Sequence, residues 1–264
     1  MNSLAGTMAS LAGEIRLRNL TVSYNRHPAV HHVSGRFAPG SLTAIVGPNG
    51  AGKSSLLKAI VGLLPAADGA IERDHLQPAD IAYLPQQANI DRAYPISVLE
   101  LALLGHWRRS GAFGGVGRKG IAAARTALQA VGLEGFEDRP IASLSVGQLQ
   151  RAMFARVLVQ DAKVILLDEP FNALDARTIA DLLGLLQRWH GERRTVIAVL
   201  HDFDLVRRHF PQALYLARRL IAWGRAETVL TAENQLAARR MAESWDEQAA
   251  ICHTDTHTHT GHAA

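Results

Sequence analysis

The chain has 264 residues, 48% of them hydrophobic and 20% charged, as in soluble globular proteins, and it is long enough for one large domain or two small ones. Its net charge of +4, with twelve histidines counted as neutral, is too mild to argue for a nucleic-acid partner. No apolar run approaches the roughly 18–20 residues of a membrane span, and the single cysteine, Cys252, excludes an intrachain disulfide and fits a reducing compartment.

Residues 1–13 read as a loose leader without the basic start of a secretory signal. The apolar positions Ile15, Leu17, Leu20, Val22 and Tyr24 predict a strand with one irregularity. Val33 to Phe37 predicts a second, ended by Pro39-Gly40, and Leu42 to Val46 a third, short and buried. Ser55 to Val61 reads as a helix opening and Ile81 to Leu84 as a strand stopped by Pro85. Ser97-Val98-Leu99-Glu100 is a capping-box start. Trp107 to Gly120 is Gly- and Arg-rich and predicts an exposed loop. Ile121, Ala124, Leu128 and Val131 follow helical spacing to Gly132, and Ser145-Val146-Gly147-Gln148 is a second capping box opening a helix. Val164–Leu167 and Thr195–Leu200 are continuous apolar strands that suit a parallel sheet covered on both faces, with a helix from Ala176 to His190 between them. Ala213 to Trp223 predicts one or two short strands, 231–246 a helix, and the last ten or so residues disorder.

The stretch Gly47-Pro48-Asn49-Gly50-Ala51-Gly52-Lys53-Ser54-Ser55 fits G-x-x-x-x-G-K-[ST] at every fixed position, between a strand and a helix. Such a loop turns several backbone N–H groups toward one anion, and the helix dipole adds to the attraction. Lys53 is expected to reach the β- and γ-phosphates and Ser54 to ligate Mg²⁺. A bare Gly-rich turn would need neither the lysine nor the serine. The strand ending in Asp168-Glu169-Pro170 places two carboxylates at the sheet edge where a ligand would lie. Asp168 suits Mg²⁺, and Glu169 suits a general base on the attacking water. Asp-Glu-Pro alone would read as a turn capping the next helix.

With these motifs in place, residues 14–225 resemble the nucleotide-binding subunit of an ATP-binding-cassette (ABC) transporter. The resemblance rests on further short matches in family order. Gln86 matches the glutamine that joins core to helical subdomain and touches Mg²⁺ and water. Leu144-Ser145-Val146-Gly147-Gln148 matches the signature, and Asn172-Ala173-Leu174-Asp175 the loop after the catalytic glutamate. His201 matches the switch histidine at the γ-phosphate, and Tyr24 the aromatic that stacks on adenine, with Tyr83 as a competing platform. The signature departs from the family in having Val146 where glycine is usual, which adds bulk and holds φ negative.

The resemblance implies an α/β fold: a P-loop core with a mainly parallel sheet, an antiparallel β-subdomain and an inserted α-helical subdomain. It implies an ATPase domain over 14–230 with the helical insertion at about 90–158. A helical extension over 231–250 and a flexible tail over 251–264 would follow. Glu169, His201, Gln86 and Lys53 are the expected catalytic residues. The loop residues Gly47 to Ser55, with Tyr24, Ser145, Gly147, Gln148 and Asp175, are expected to bind ATP, and Ser54, Gln86 and Asp168 to hold Mg²⁺. In the family, Ser145 and Gly147 of one subunit complete the ATP site of the other in a closed dimer. Expected partners are a second copy, integral-membrane permease subunits and, indirectly, an extracytoplasmic metal-binding protein, at the cytoplasmic face of the plasma membrane and without nucleic acid.

Two features bear on cargo. Pro95 to Glu100, Leu104-Gly105 and Asp168-Glu169-Pro170-Phe171 resemble zinc- and manganese-type importer ATPases. The tail holds Cys252, His253, His257, His259 and His262, whose thiolate and imidazoles suit Zn²⁺. Other metal species, such as an iron–siderophore complex or haem, and a non-transport ABC ATPase are the alternatives. The latter usually carries a second cassette, long coiled coils or strongly basic arms.

Overall fold

A computed structural model describes residues 13–24, 27–86, 91–107 and 115–247, with side chains through Met241 except that of Tyr24. The expectations for the leader before Gly13 and for the tail lie outside the described residues.

The centre is a six-stranded sheet in the order β5-β6-β7-β3-β8-β9. Its strands are β3 (Leu42–Val46), β5 (Ile81–Leu84), β6 (Val164–Asp168), β7 (Thr195–Val199), β8 (Gln212–Ala217) and β9 (Arg219–Arg225). The first five strands in that order run parallel, and β9 pairs antiparallel with β8. Every residue of β3, β6 and β7 is buried. That explains their unbroken apolar runs: alternate side chains enter two different cores. Ala44, Ile165, Leu167, Val196 and Ala198 join one core, which contains the stacked, fully buried pair Phe154 and Trp189. Ile45, Val164, Leu166, Ile197 and Val199 join the other. Truncating a large side chain such as Trp189 to alanine costs about 3–5 kcal/mol.

The second core lies beneath α1 (Lys53–Val61) and a smaller antiparallel sheet, β2-β1-β4. Here β1 is Ile15–Tyr24, β2 is His27–Phe37 and β4 is Asp68–Arg73. The irregularity expected in β1 is larger than one slip. Its register to β2 shifts at three points, and Asn19 takes φ 49°. β2 begins at His27, six residues before the sequence pattern shows. β4 is absent from the sequence reading because only Ile71 and Arg73 of its residues are even partly buried. Arg73 ties it to the core by donating to the Ala59 and Ile60 carbonyls at the end of α1 (3.0 and 2.8 Å), a favourable place for a cation.

Between β5 and β6 run α2 (Val98–Leu103), α3 (Arg118–Ala130) and α4 (Val146–Gln160). Both capping boxes form. Ser97 accepts from Glu100 N–H while Glu100 accepts from Ser97 N–H, and Ser145 and Gln148 repeat the exchange. The exposed stretch expected up to Gly120 instead turns helical at Arg118, and residues 108–114 lie outside the described residues. α5 (Ala176–Gly191) follows β6, α6 (Phe203–His209) follows β7, and α7 (Ala226–Val229) and α8 (Ala232–Glu247) follow β9. Among the described residues no helix is long and apolar enough to cross a membrane.

Candidate nucleotide site

β3 delivers the chain into the glycine loop at the C-terminal edge of the sheet, and α1 leaves it at Lys53. Two of the glycines are required by space as well as conformation. A Cβ on Gly47 (φ 152°) would lie 1.9 Å from the Leu216 carbonyl oxygen, and one on Gly52 (φ 88°) 2.0 Å from that of Ala29. Gly52 caps α1 without a side chain, so the first-turn N–H groups face the cleft. A cleft of about 720 Å³ opens there, lined by Asn49, Gly50, Ala51, Gly52, Lys53, Ser54 and Ser55 from the loop and by Ala29, Gln86, Glu169, Asn172 and His201 from elsewhere.

Lys53 is only 6% exposed. Its ammonium donates to the carbonyls of Gly47 (2.9 Å) and Pro48 (2.8 Å). Burial lowers its pKa, an effect that the nearby Glu169 and Asp168 carboxylates oppose. The ammonium is thus held by two neutral oxygens, which a triphosphate can replace with charged ones. Against the loop, β6 presents Asp168, 1% exposed. Its Oδ1 accepts from the Ser54 hydroxyl (2.8 Å) and its Oδ2 from the Tyr83 phenol (3.1 Å). Burial pushes the Asp168 carboxyl above its ordinary value, against the pull of those two hydrogen bonds. A hydroxyl and a carboxylate in mutual contact at a phosphate loop are hard oxygen donors, and this pair fits Mg²⁺.

Glu169 stands one residue past the strand with φ 51°, a left-handed conformation unusual for a residue with a side chain. The turn aims its carboxylate into the cleft. Oε2 accepts from Gln86 Nε2 (2.7 Å) and from Asn172 Nδ2, and Oε1 meets His201 Nε2 at 2.7 Å. Three segments distant in sequence meet at this one acid: those of Gln86, of Glu169 with Asn172, and of His201. Sequence reasoning quoted Asn172 only as part of a motif and gave it no role. The signal was its place three residues after Glu169. Tyr83, weighed as an adenine platform, has its hydroxyl on Asp168 instead.

The signature residues stand apart. Ser145, Gly147 and Gln148 do not line the cleft, and Gln148 spends its side chain on the capping box with Ser145. Val146 is the first residue of α4 and is 38% exposed, so its bulk points away from the core. A helical first position asks for negative φ, and valine satisfies it without strain. Asp175 caps α5, accepting from the Thr178 N–H (2.9 Å) and hydroxyl (2.8 Å), and these bonds hold its carboxyl below its usual value. Tyr24 is the last residue of β1, and its side chain lies outside the described residues. So do the tail positions Cys252, His253, His257, His259 and His262. Among the described residues no cluster of three or more histidine, cysteine, aspartate or glutamate side chains could hold a metal ion.

A glycine loop with lysine and serine after β3 of a mainly parallel sheet, with an acid pair at the end of β6, defines a P-loop nucleotide hydrolase. The comparisons narrow that class. The model of the ABC transporter family matches residues 30–172, more than half of the chain. The chain belongs to that family and is an ATP-binding, ATP-hydrolysing subunit. It is 38% identical over 231 residues to the zinc transport system ATP-binding protein TroB of Treponema pallidum, covering 86% of each chain. It is 38% identical to the manganese transport system ATP-binding protein MntB of Bacillus subtilis, covering 83% of this chain and 90% of the relative. A probable metal transport system ATP-binding protein of Chlamydia pneumoniae is 39% identical over 82% of this chain and 85% of its own. Among solved structures, a metal-chelate type ABC transporter in an inward-facing conformation aligns with a TM-score of 0.76 at 28% identity, over 86% of this chain and 89% of that one. A bacterial ABC transporter cassette solved as a dimer aligns with a TM-score of 0.71 at 27% identity, over 80% and 98%.

Proposed function

We propose that this chain powers import of a divalent metal, zinc before manganese, by hydrolysing ATP between two copies of itself. The observation that carries the hydrolytic part is the Glu169 carboxylate, fixed between Gln86, Asn172 and His201 in the cleft that Lys53 also lines. Lys53 and the first N–H groups of α1 bind the phosphates. Ser54 and Asp168 would hold Mg²⁺, with Gln86 near it, and the ion would supply positive charge to the phosphate oxygens. Glu169 accepts a proton from water as the water oxygen bonds to the γ-phosphorus. The bond to the bridging oxygen breaks, leaving ADP and inorganic phosphate. His201 holds Oε1 of the base and contacts the γ-phosphate. Tyr24 stacks on adenine, an interaction of about 1–3 kcal/mol that tolerates other bases.

Ser145, exposed, and Gly147, half-buried, both outside the cleft of their own chain, complete the site of a second copy, as does Asp175 beside them in the assembled dimer. The helical region 90–158 then moves about Gln86 as the clamp closes and opens. Its exposed Tyr94 (61%), Leu104 (46%) and Trp107 (58%) form the docking surface for a membrane permease at the cytoplasmic face. Support for the cargo comes from the zinc, manganese and metal transport relatives. Uptake of radioactive zinc and of radioactive manganese by cells lacking and regaining this chain decides between them. Loss of neither overturns the cargo reading. Capture from solubilised membranes should bring down a polytopic permease, and ribosomes or DNA in its place would contradict transport. The His-rich tail binds Zn²⁺ in this reading. Zinc titration of the intact protein should therefore show more sites than a chain ending at Ile251, and equal stoichiometry refutes it.

A further inference from the structure

Near its end β5 carries a side chain that the proposed mechanism leaves unused, Tyr83. Tyr83 pairs with Leu166 in the parallel register of β5 and β6. Leu166 and Asp168 are two residues apart on one strand, so Tyr83, Leu166 and Asp168 share one face of the sheet, the face under α1. From that position the phenol spans to Asp168 and donates to Oδ2 at 3.1 Å, while Ser54 donates to Oδ1 at 2.8 Å. The carboxylate is 1% exposed and draws little help from bulk water. The strand that carries the phenol is itself pinned by α4. Arg156 donates to the Tyr83 carbonyl (2.6 Å) and Gln160 to the Ile81 carbonyl (2.9 Å).

We propose that Tyr83 is a positioning residue for the magnesium ion, occupying Oδ2 of Asp168 so that Oδ1 is turned toward Ser54 and the metal. The inference rests on the reading that Asp168 and Ser54 hold Mg²⁺. A carboxylate that accepts on one oxygen from a fixed phenol cannot rotate freely, and it meets the ion in one orientation. Groups of this kind around a metal ligand are typically worth 10–100-fold in affinity. Phenylalanine keeps the ring and its packing and deletes only the donor.

The test is Tyr83→Phe, with a fluorescent trinitrophenyl-ATP as probe, titrated in EDTA and then at fixed nucleotide with rising MgCl₂. The affinity in EDTA should equal wild type, which also shows that the variant is folded. The Mg²⁺ concentration for half-maximal tightening should rise about tenfold. An unchanged Mg²⁺ requirement overturns the inference, and so does an equal loss of affinity with and without Mg²⁺, which marks a structural role only. Asp168→Asn run in parallel separates the two levels. If it raises the Mg²⁺ requirement and Tyr83→Phe does not, the metal reading stands and the tyrosine's role fails. If Asp168→Asn leaves the requirement at wild type, both fail.

Discussion

The sheet edge around Lys53, Asp168 and Glu169 and the start of α4 at Ser145 carry motifs of similar specificity, yet they stand in opposite condition. At the sheet edge every motif side chain with a charge is buried or engaged: Lys53 with two carbonyls, Asp168 with two hydroxyls, Glu169 with three partners. At α4 the polar motif residues Ser145 and Gln148 engage each other in a capping box, and Ser145 and Val146 are exposed. The first region is a site assembled by its own fold. The second stands outside the cleft of its own chain. The difference teaches that the first half of the arrangement is complete in the single chain, and on the proposed function the second half is completed by an assembly.

Substitutions can break either half separately. The largest effect belongs to the sheet edge. Glu169→Gln keeps the hydrogen-bonding shape and removes the base, so steady-state phosphate release should fall by roughly 10²–10⁴-fold with nucleotide affinity retained. Turnover near wild type would refute the base assignment. Next is the signature half. A Cβ on Gly147 would meet only Leu174 Cδ2, at an ordinary 3.7 Å, so Gly147→Asp should fold. Its carboxylate would face the partner's phosphates, and like charges in contact cost several kcal/mol, so turnover should drop on the order of a hundredfold. Nucleotide binding by the single chain, measured by fluorescence, should be unchanged. A loss of binding there would place the signature in the chain's own site instead.

Smaller effects sharpen the contrast. Burial raises the Asp168 carboxyl, so between the ordinary and the raised value the native chain holds a proton that the unfolded chain has lost. The stability this provides is present below the ordinary value and is lost as pH rises through the raised one. Asp168→Asn removes that penalty. Its nucleotide-free melting temperature should match wild type near pH 4 and exceed it at neutral pH by about 1–3 °C, followed by calorimetry. A variant less stable at neutral pH would contradict the sign. The smallest effect is expected at Val146. As an exposed first helical residue it has no strained backbone to relieve, and Val146→Gly should alter turnover by less than about twofold.

The uneven condition of the two regions also explains what the sequence made legible. Patterns that bury both faces, such as Val164–Leu167, or exchange two hydrogen bonds locally, such as Ser145 with Gln148, are written in adjacent residues and were read with small errors at the ends. β4 was not, because an edge strand with two partly buried positions leaves no alternation to detect. α6 is seven residues capped by Asp202, too short for helical periodicity to register. Within the site, the residues that a motif fixes by spacing were found. The contact of Tyr83 with Asp168 crosses from β5 to β6 and depends on their register, which no local pattern encodes, whereas that of Asn172 with Glu169 depends on the left-handed turn at Glu169.

The claim that two copies share the nucleotide is tested most directly by light scattering on purified Glu169→Gln with Mg²⁺ and ATP. The account predicts a monomer without nucleotide, a dimer with it, and a monomer again when Gly147→Asp is added to the same chain. A Glu169→Gln protein that binds ATP and stays monomeric, or a dimer indifferent to the change at Gly147, would contradict it.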